Sequence, residues 1–189
     1  MRVARVPLGG PGKGQPVQPL IVTLALAPGD QARFDRLRQA HFPPERNHLA
    51  AHVTLFHALP GEHLDRVRRD LAELAEVAAY DLRVTRVRSL GRGVAYDLRA
   101  PELDAQHREM ARRWEPWLTP QDRRPLSAHV TVQNKVAPEV ARALLAELSA
   151  GFAPYAVRAR GLALWRYLGG PWDPVVTFDF PDRGSVELC

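Results

Sequence analysis

The tripeptide His-Val-Thr followed by an aliphatic residue is written twice, in "AHVTLFHALPG" (51–61) and in "SAHVTVQNKV" (127–136). The two histidines, His52 and His129, lie 77 positions apart, and each sits in a short β-branched run of strand character. One such triplet is weak information. Two in matching contexts point to a duplicated unit that sets two histidines opposite each other.

The flanking pattern agrees. "PLIVTLALAPG" (19–29) reads as a buried strand stopped by Pro-Gly, and Asp30 as the cap of a helix over "QARFDRLRQAHF" that Pro43-Pro44 ends. A strand (51–59) follows. Leu64, Val67, Leu71, Leu74 and Val77 then recur at helical spacing. Strands over 80–90 and 94–100 meet at Gly91-Arg92-Gly93. The second half restates the order: a helix in "ELDAQHREMARRWEPWL", a strand (128–136), a helix opened by Pro138 and stopped by Gly151, then strands over 155–168 and 175–180. The expected fold is α+β, with two pseudo-symmetric lobes whose antiparallel sheets line a central cleft and whose helices lie outside. One bilobal domain is expected over 19–181. A Gly- and Pro-rich arm (1–18) reads as mobile, and 182–189 as a tail.

Composition narrows the class. Hydrophobic residues at 46% and charged residues at 25% suit a globular chain, and no apolar run is long enough to span a membrane. The lone cysteine, Cys189, excludes an internal disulfide, and the N-terminus lacks the apolar core of a signal peptide, so a cytoplasmic monomer is the expectation. A net charge of +5 permits an anionic partner. All but Lys13 and Lys135 of the 26 basic residues are arginines scattered along the chain, which reads equally as compositional bias.

Side chains alternate along a strand, so His52, Thr54 and Phe56 are expected on one face, and His129, Thr131, Gln133 and Lys135 on another. An imidazole and a hydroxyl two residues apart can touch different oxygens of one phosphate, and two such pairs across a cleft surround it. A neutral imidazole takes a proton from water or a ribose hydroxyl, and an imidazolium gives one to a departing oxygen. The threonine hydroxyls donate to non-bridging oxygens. In-line attack on a cyclic phosphodiester needs such a base and acid on opposite sides, and it needs no metal.

Paired H-x-T motifs in a duplicated α+β chain resemble the two-histidine (2H) phosphoesterase superfamily, which includes 2′-5′ RNA ligases and 2′,3′-cyclic phosphodiesterases. The resemblance runs over about 19–181. It implies a catalytic pair, His52 and His129, with Thr54 and Thr131 on the phosphate. The implied reaction opens the 2′,3′-cyclic phosphate of an RNA end or a nucleotide, or in reverse makes a 2′-5′ linkage, without a cofactor. The runs Phe56-His57-Ala58-Leu59 and Gln133-Asn134-Lys135 depart from the family pattern at positions that bear on substrate choice.

Further substrate contacts are expected at Phe56, Gln133, Lys135, Arg124, Trp165, Arg166 and Tyr167; the aromatics beside an arginine before a glycine turn suit a nucleotide. His57 reads as a partly exposed strand residue, and His63 and His107 as surface helix residues. Five histidines between 41 and 63 raise a zinc site as a rival, but no cysteine or carboxylate completes a ligand spacing, so no metal is expected. A non-catalytic module that binds RNA ends or cyclic phosphates is the alternative to an enzyme.

Overall fold

A computed structural model describes residues 17–181. The chain runs β1 (Leu20–Leu26), α1 (Pro28–His41), β2 (Val53–Leu59), α2 (Leu64–Leu74), β3 (Asp81–Ser89), β4 (Val94–Arg99), α3 (Pro101–Arg113), β5 (His129–Gln133), α4 (Pro138–Ala150), β6 (Tyr155–Tyr167) and β7 (Trp172–Asp179). The expected arm and tail fall almost wholly outside the described residues.

The seven strands form one sheet in the order β2-β1-β6-β3-β4-β5, with β7 also on β6 and every pairing antiparallel. This order exposes the duplication. The repeating unit is β-α-β-α-β, written as β1-α1-β2-α2-β3 and again as β4-α3-β5-α4-β6. The third strand of each unit crosses to the other, so β6 pairs with β1 and β3 with β4. A pseudo-twofold axis therefore passes between β6 and β3, rotation about it relates the two α+β halves, and β7 is the one strand without a counterpart among the described residues.

Local chemistry accounts for the elements. β1, "LIVTLAL", is an apolar run because both its faces are covered. Helices α1, α3 and α4 each open with proline in the first turn, where the missing N–H has no intrahelical partner to lose. Asp30 does not cap α1: the helix begins two residues earlier, at Pro28, and the Asp30 carboxylate instead accepts from the Arg158 backbone N–H at 2.8 Å, tying α1 to β6. The core is continuous through both halves, with Phe34, Phe56, Leu71, Leu82, Met110, Trp114 and Leu162 sealed inside it.

The edge strands β2 and β5, last at either end of the sheet order, approach one another, and α1 packs on β5. Buried Arg38 of α1 fastens this closure: its guanidinium donates to Asn47 Oδ1 (2.8 Å), to the Leu49 carbonyl (3.0 Å) and to the Thr131 carbonyl on β5 (3.0 Å). The two His-Val-Thr segments thus face a shared cleft.

Candidate active site

His52 immediately precedes β2 and His129 opens β5. In both segments the aliphatic residues (Val53, Leu55, Val130, Val132) are buried, while His52, Thr54, His129 and Thr131 are half-buried on the cleft side. Each imidazole is anchored in the same way. His52 Nδ1 lies 2.8 Å from the Ala50 carbonyl, and His129 Nδ1 2.7 Å from the Ser127 carbonyl. A carbonyl only accepts, so Nδ1 carries the hydrogen and the Nε2 lone pair is left for the cleft.

Burial is the main force on both titrations. It lowers His52 to about 4; the Ala50 carbonyl opposes this, and positive charge at Arg38, His129 and His57 adds to it. Burial also lowers His129, with the Ser127 carbonyl opposing, Arg88 lowering it further and the Asp97 carboxylate raising it. The charges that shift His52, on Arg38, His129 and His57, disfavour its imidazolium, whereas the Asp97 carboxylate favours that of His129.

The walls on the two sides differ. On the His129 side, Asp97 is the cross-strand partner of His129 and is fully buried, in ion pairs with Arg86 (2.7 Å) and Arg88 (3.0 Å), while Arg88 also donates to Ser127 Oγ at 2.9 Å. A cavity of about 190 Å³ joins His129 to Thr54, His57 and Arg124. His57 is held there by Asp122, whose buried carboxylate accepts from His57 Nδ1 (2.9 Å), from the backbone N–H groups of His57 and Ala58 and from Thr119 Oγ1. Those contacts hold Asp122 below the ordinary carboxylate range against the cost of burial, which acts the other way. On the His52 side, a cavity of about 480 Å³ is lined by Thr23, Gln31, His48, His52, Trp165 and Trp172. The Trp172 ring lies 4.6 Å from the His52 ring, and Trp165 Nε1 donates to Thr23 Oγ1 at 2.9 Å.

This fold and cleft have relatives. The profile of the 2′-5′ RNA ligase superfamily matches residues 26–171, most of the chain. The chain belongs to that superfamily. Among solved structures it is similar to E. coli LigT complexed with 3′-AMP (17% identity, TM-score 0.55, covering 87% of this chain and 99% of that one). It is likewise similar to the TT0787 protein of Thermus thermophilus (17%, 0.57, 87% and 99%). Another similar structure is E. coli LigT complexed with NADP+ (16%, 0.57, 89% and 100%). No curated protein matches the chain in sequence. At these identities the likeness is one of fold.

Within this superfamily frame, the sequence expectations divide. Thr54, Arg124 and His129 line one cavity and His52 and Trp165 the other, while Thr131 shares the half-buried face of β5 with His129. Phe56 lines neither cavity: it is fully buried, stacked on His107 at 4.6 Å and edge-on to Trp114 at 5.0 Å, so it is core and not a base platform. Gln133 is also buried, at 5% exposure. The reason is shared. Val22 pairs with Phe56 and Thr23 with Thr54, while Val94 pairs with Gln133 and Ala95 with Thr131. A β-bulge thus follows each His-Val-Thr and breaks the alternation, turning Leu55 with Phe56, and Val132 with Gln133, inward.

Lys135 lies beyond the end of β5 in a left-handed turn (φ 61°), exposed and off the catalytic face. Arg166 pairs with Asp173 at 3.6 Å on the face opposite Trp165, and Tyr167 is exposed at the β6–β7 turn outside the tryptophan-lined cavity. His107 is buried rather than superficial, and His63 is stacked on Trp117 at 3.8 Å. His57 is the partly exposed strand residue it was expected to be, but its place in the cavity was missed, as were the roles of Asp122, Trp172, Arg88 and Asp97. "TPQD" (119–122) carries the capping-box spacing that makes Thr119 and Asp122 bond each other, and a tryptophan directly after Gly-Gly-Pro was a signal for Trp172. Among the described residues, no three histidine, cysteine or carboxylate side chains are grouped to hold a metal ion, and no helix is long and apolar enough to cross a membrane.

Proposed function

We propose that the chain is a phosphoesterase that opens 2′,3′-cyclic phosphates of RNA ends or nucleotides by acid–base catalysis between His52 and His129. The observation that carries this is the matched anchoring of the two imidazoles, each with Nδ1–H on the carbonyl two residues upstream and Nε2 left for the cleft. Thr54 and Thr131 donate to the non-bridging oxygens as charge develops there. In the opening direction His52 Nε2 takes a proton from water, and the water oxygen attacks phosphorus. The bond from phosphorus to one ribose oxygen breaks, and His129 Nε2–H delivers a proton to that oxygen. The Asp97 carboxylate that raises His129, set against the cationic groups that lower His52, supports His129 as the acid. Run backwards with an RNA hydroxyl, the same groups exchange roles and make a 2′-5′ linkage. Trp172 and Trp165 offer a stacking wall to the nucleobase. The nucleotide complexes of LigT lend support to a nucleotide ligand.

The test is turnover of a panel of nucleoside 2′,3′-cyclic phosphates in EDTA by wild type, His52→Ala and His129→Ala. EDTA-resistant opening that either substitution abolishes is the expected result. A folded wild type that binds cyclic or terminal phosphates tightly and never turns them over would favour a non-catalytic RNA-end binding module. Activity lost to the chelator would point to a metal-dependent hydrolase.

A further inference from the structure

The cleft does not end at His129. A groove of about 710 Å³ continues from it across α3 and the 118–126 segment, sharing His107, Asp122, Arg124, Pro125 and Leu126 with the cavity that holds Thr54 and His129. Five arginines line it. Two are neutralised within the protein: Arg112 makes a two-pronged pair with Glu109, and Arg123 is ion-paired with Glu115. The other three, Arg99, Arg108 and Arg124, are exposed and have no ion pair or side-chain hydrogen bond among the described residues. Of the acidic groups in the wall, Asp122 is bound to His57 and Glu115 to Arg123, which leaves Asp104 alone against the three unpaired arginines and the accessible charge net cationic among the described residues. Ala111, Leu118 and Leu126 give the groove an apolar floor.

We infer that this groove is a track for single-stranded RNA, holding the nucleotides that precede the terminal cyclic phosphate. The inference rests on the chemistry proposed for the cleft and narrows its substrate class to an oligonucleotide rather than a free mononucleotide. Unpaired guanidinium groups bind phosphodiesters, and an apolar floor accepts bases without regard to sequence. Continuity with the cleft is what selects RNA over an acidic protein surface: a strand with its terminal phosphate between the histidines has this groove as its basic exit.

The experiment compares cyclic-phosphate-terminated RNAs of one, three and six nucleotides, with wild type and the Arg99→Ala/Arg108→Ala double variant. Both positions are exposed and outside the catalytic cleft, and thermal melts of the two proteins should coincide. In wild type, kcat/KM should rise about 10-fold or more from one to six nucleotides at about 50 mM salt, and the gain should shrink at about 300 mM. The double variant should lose the gain and turn over the mononucleotide within about twofold of wild type, because a mononucleotide held between the histidines has no further phosphate to place on Arg99 or Arg108. A rate independent of length, or a gain that survives in the variant, overturns the inference. Anisotropy of a labelled six-nucleotide RNA with a 3′-phosphate reads the groove separately from the chemistry. Affinity about fivefold weaker in the variant supports the track even if no turnover is seen, and equal affinity refutes it.

Discussion

Asp122 does more for the cleft than its place in a surface turn suggests. β2 is an edge strand, and the N–H groups of His57 and Ala58 find their acceptor in this one carboxylate, which also fixes the His57 ring. Removing it leaves two strand donors and an imidazole without a partner. Asp122→Ala should therefore cost about 3 kcal/mol in urea denaturation, and Asp122→Asn, which keeps one acceptor oxygen, clearly less. Trp172 has a different expectation, because it stands beside His52 without tying the fold together. Trp172→Ala should raise KM for nucleoside cyclic phosphates about 10-fold with kcat little changed, the value of one lost base stack; an unaltered KM would remove the base from that wall. At this scale His52 and His129 were legible because the motif repeats. His57 and Asp122 were not, because their meeting joins residues 65 positions apart through a turn whose direction no local pattern records.

The two β-bulges decide which residues of each motif meet the cleft. Up to the threonine, strand alternation holds, and histidine and threonine share a face as the sequence implies. One residue later the register slips in both halves, Phe56 and Gln133 turn inward, and His57 joins the face it was expected to leave. Phe56→Ala should consequently cost about 3–5 kcal/mol of stability. Phe56→Leu, which keeps most of the volume, should fold and leave the preference among nucleobases unchanged. A shifted base preference in Phe56→Leu with unaltered stability would instead restore Phe56 to the substrate. Helix positions were legible from apolar spacing in α2 and from Pro138 in α4; strand faces were legible only as far as the ladder stays regular, because a bulge leaves no mark in composition.

Across the whole molecule, exact pairing of elements coexists with chemically unlike half-sites. The crossing of β3 and β6 between the repeats builds the pseudo-twofold, yet β7 exists on one side only and brings Trp172 to His52, while Arg88, Asp97 and the arginine groove attend His129. The element order made the duplication visible, but the strand exchange and the lone β7 depend on long-range pairing that a sequence does not display. Burial also gives the molecule a pH signature. His52, His107 and His129 are all held below their ordinary value. Unfolded imidazoles titrate near 6.5 and folded His52 near 4, so between those limits the unfolded chain binds protons that the folded chain refuses. Stability should be fully present above about pH 6.5 and fall by about 2 kcal/mol or more by about pH 4.5 in urea denaturation, with His52→Asn losing less. Stability that is level or rising on acidification would contradict the assigned burial. The depressed carboxylate of Asp122 adds its own loss only below the ordinary Asp range.

The central claim is that two imidazoles act together in one displacement, and a comparison of kcat for His52→Ala, His129→Ala and the double variant on a 2′,3′-cyclic phosphate tests it most directly. If they share one transition state, each single variant should lose about 10³-fold or more, and the double variant should be little worse than either. A single variant that keeps activity within about tenfold of wild type, or losses that multiply in the double variant, would contradict the account.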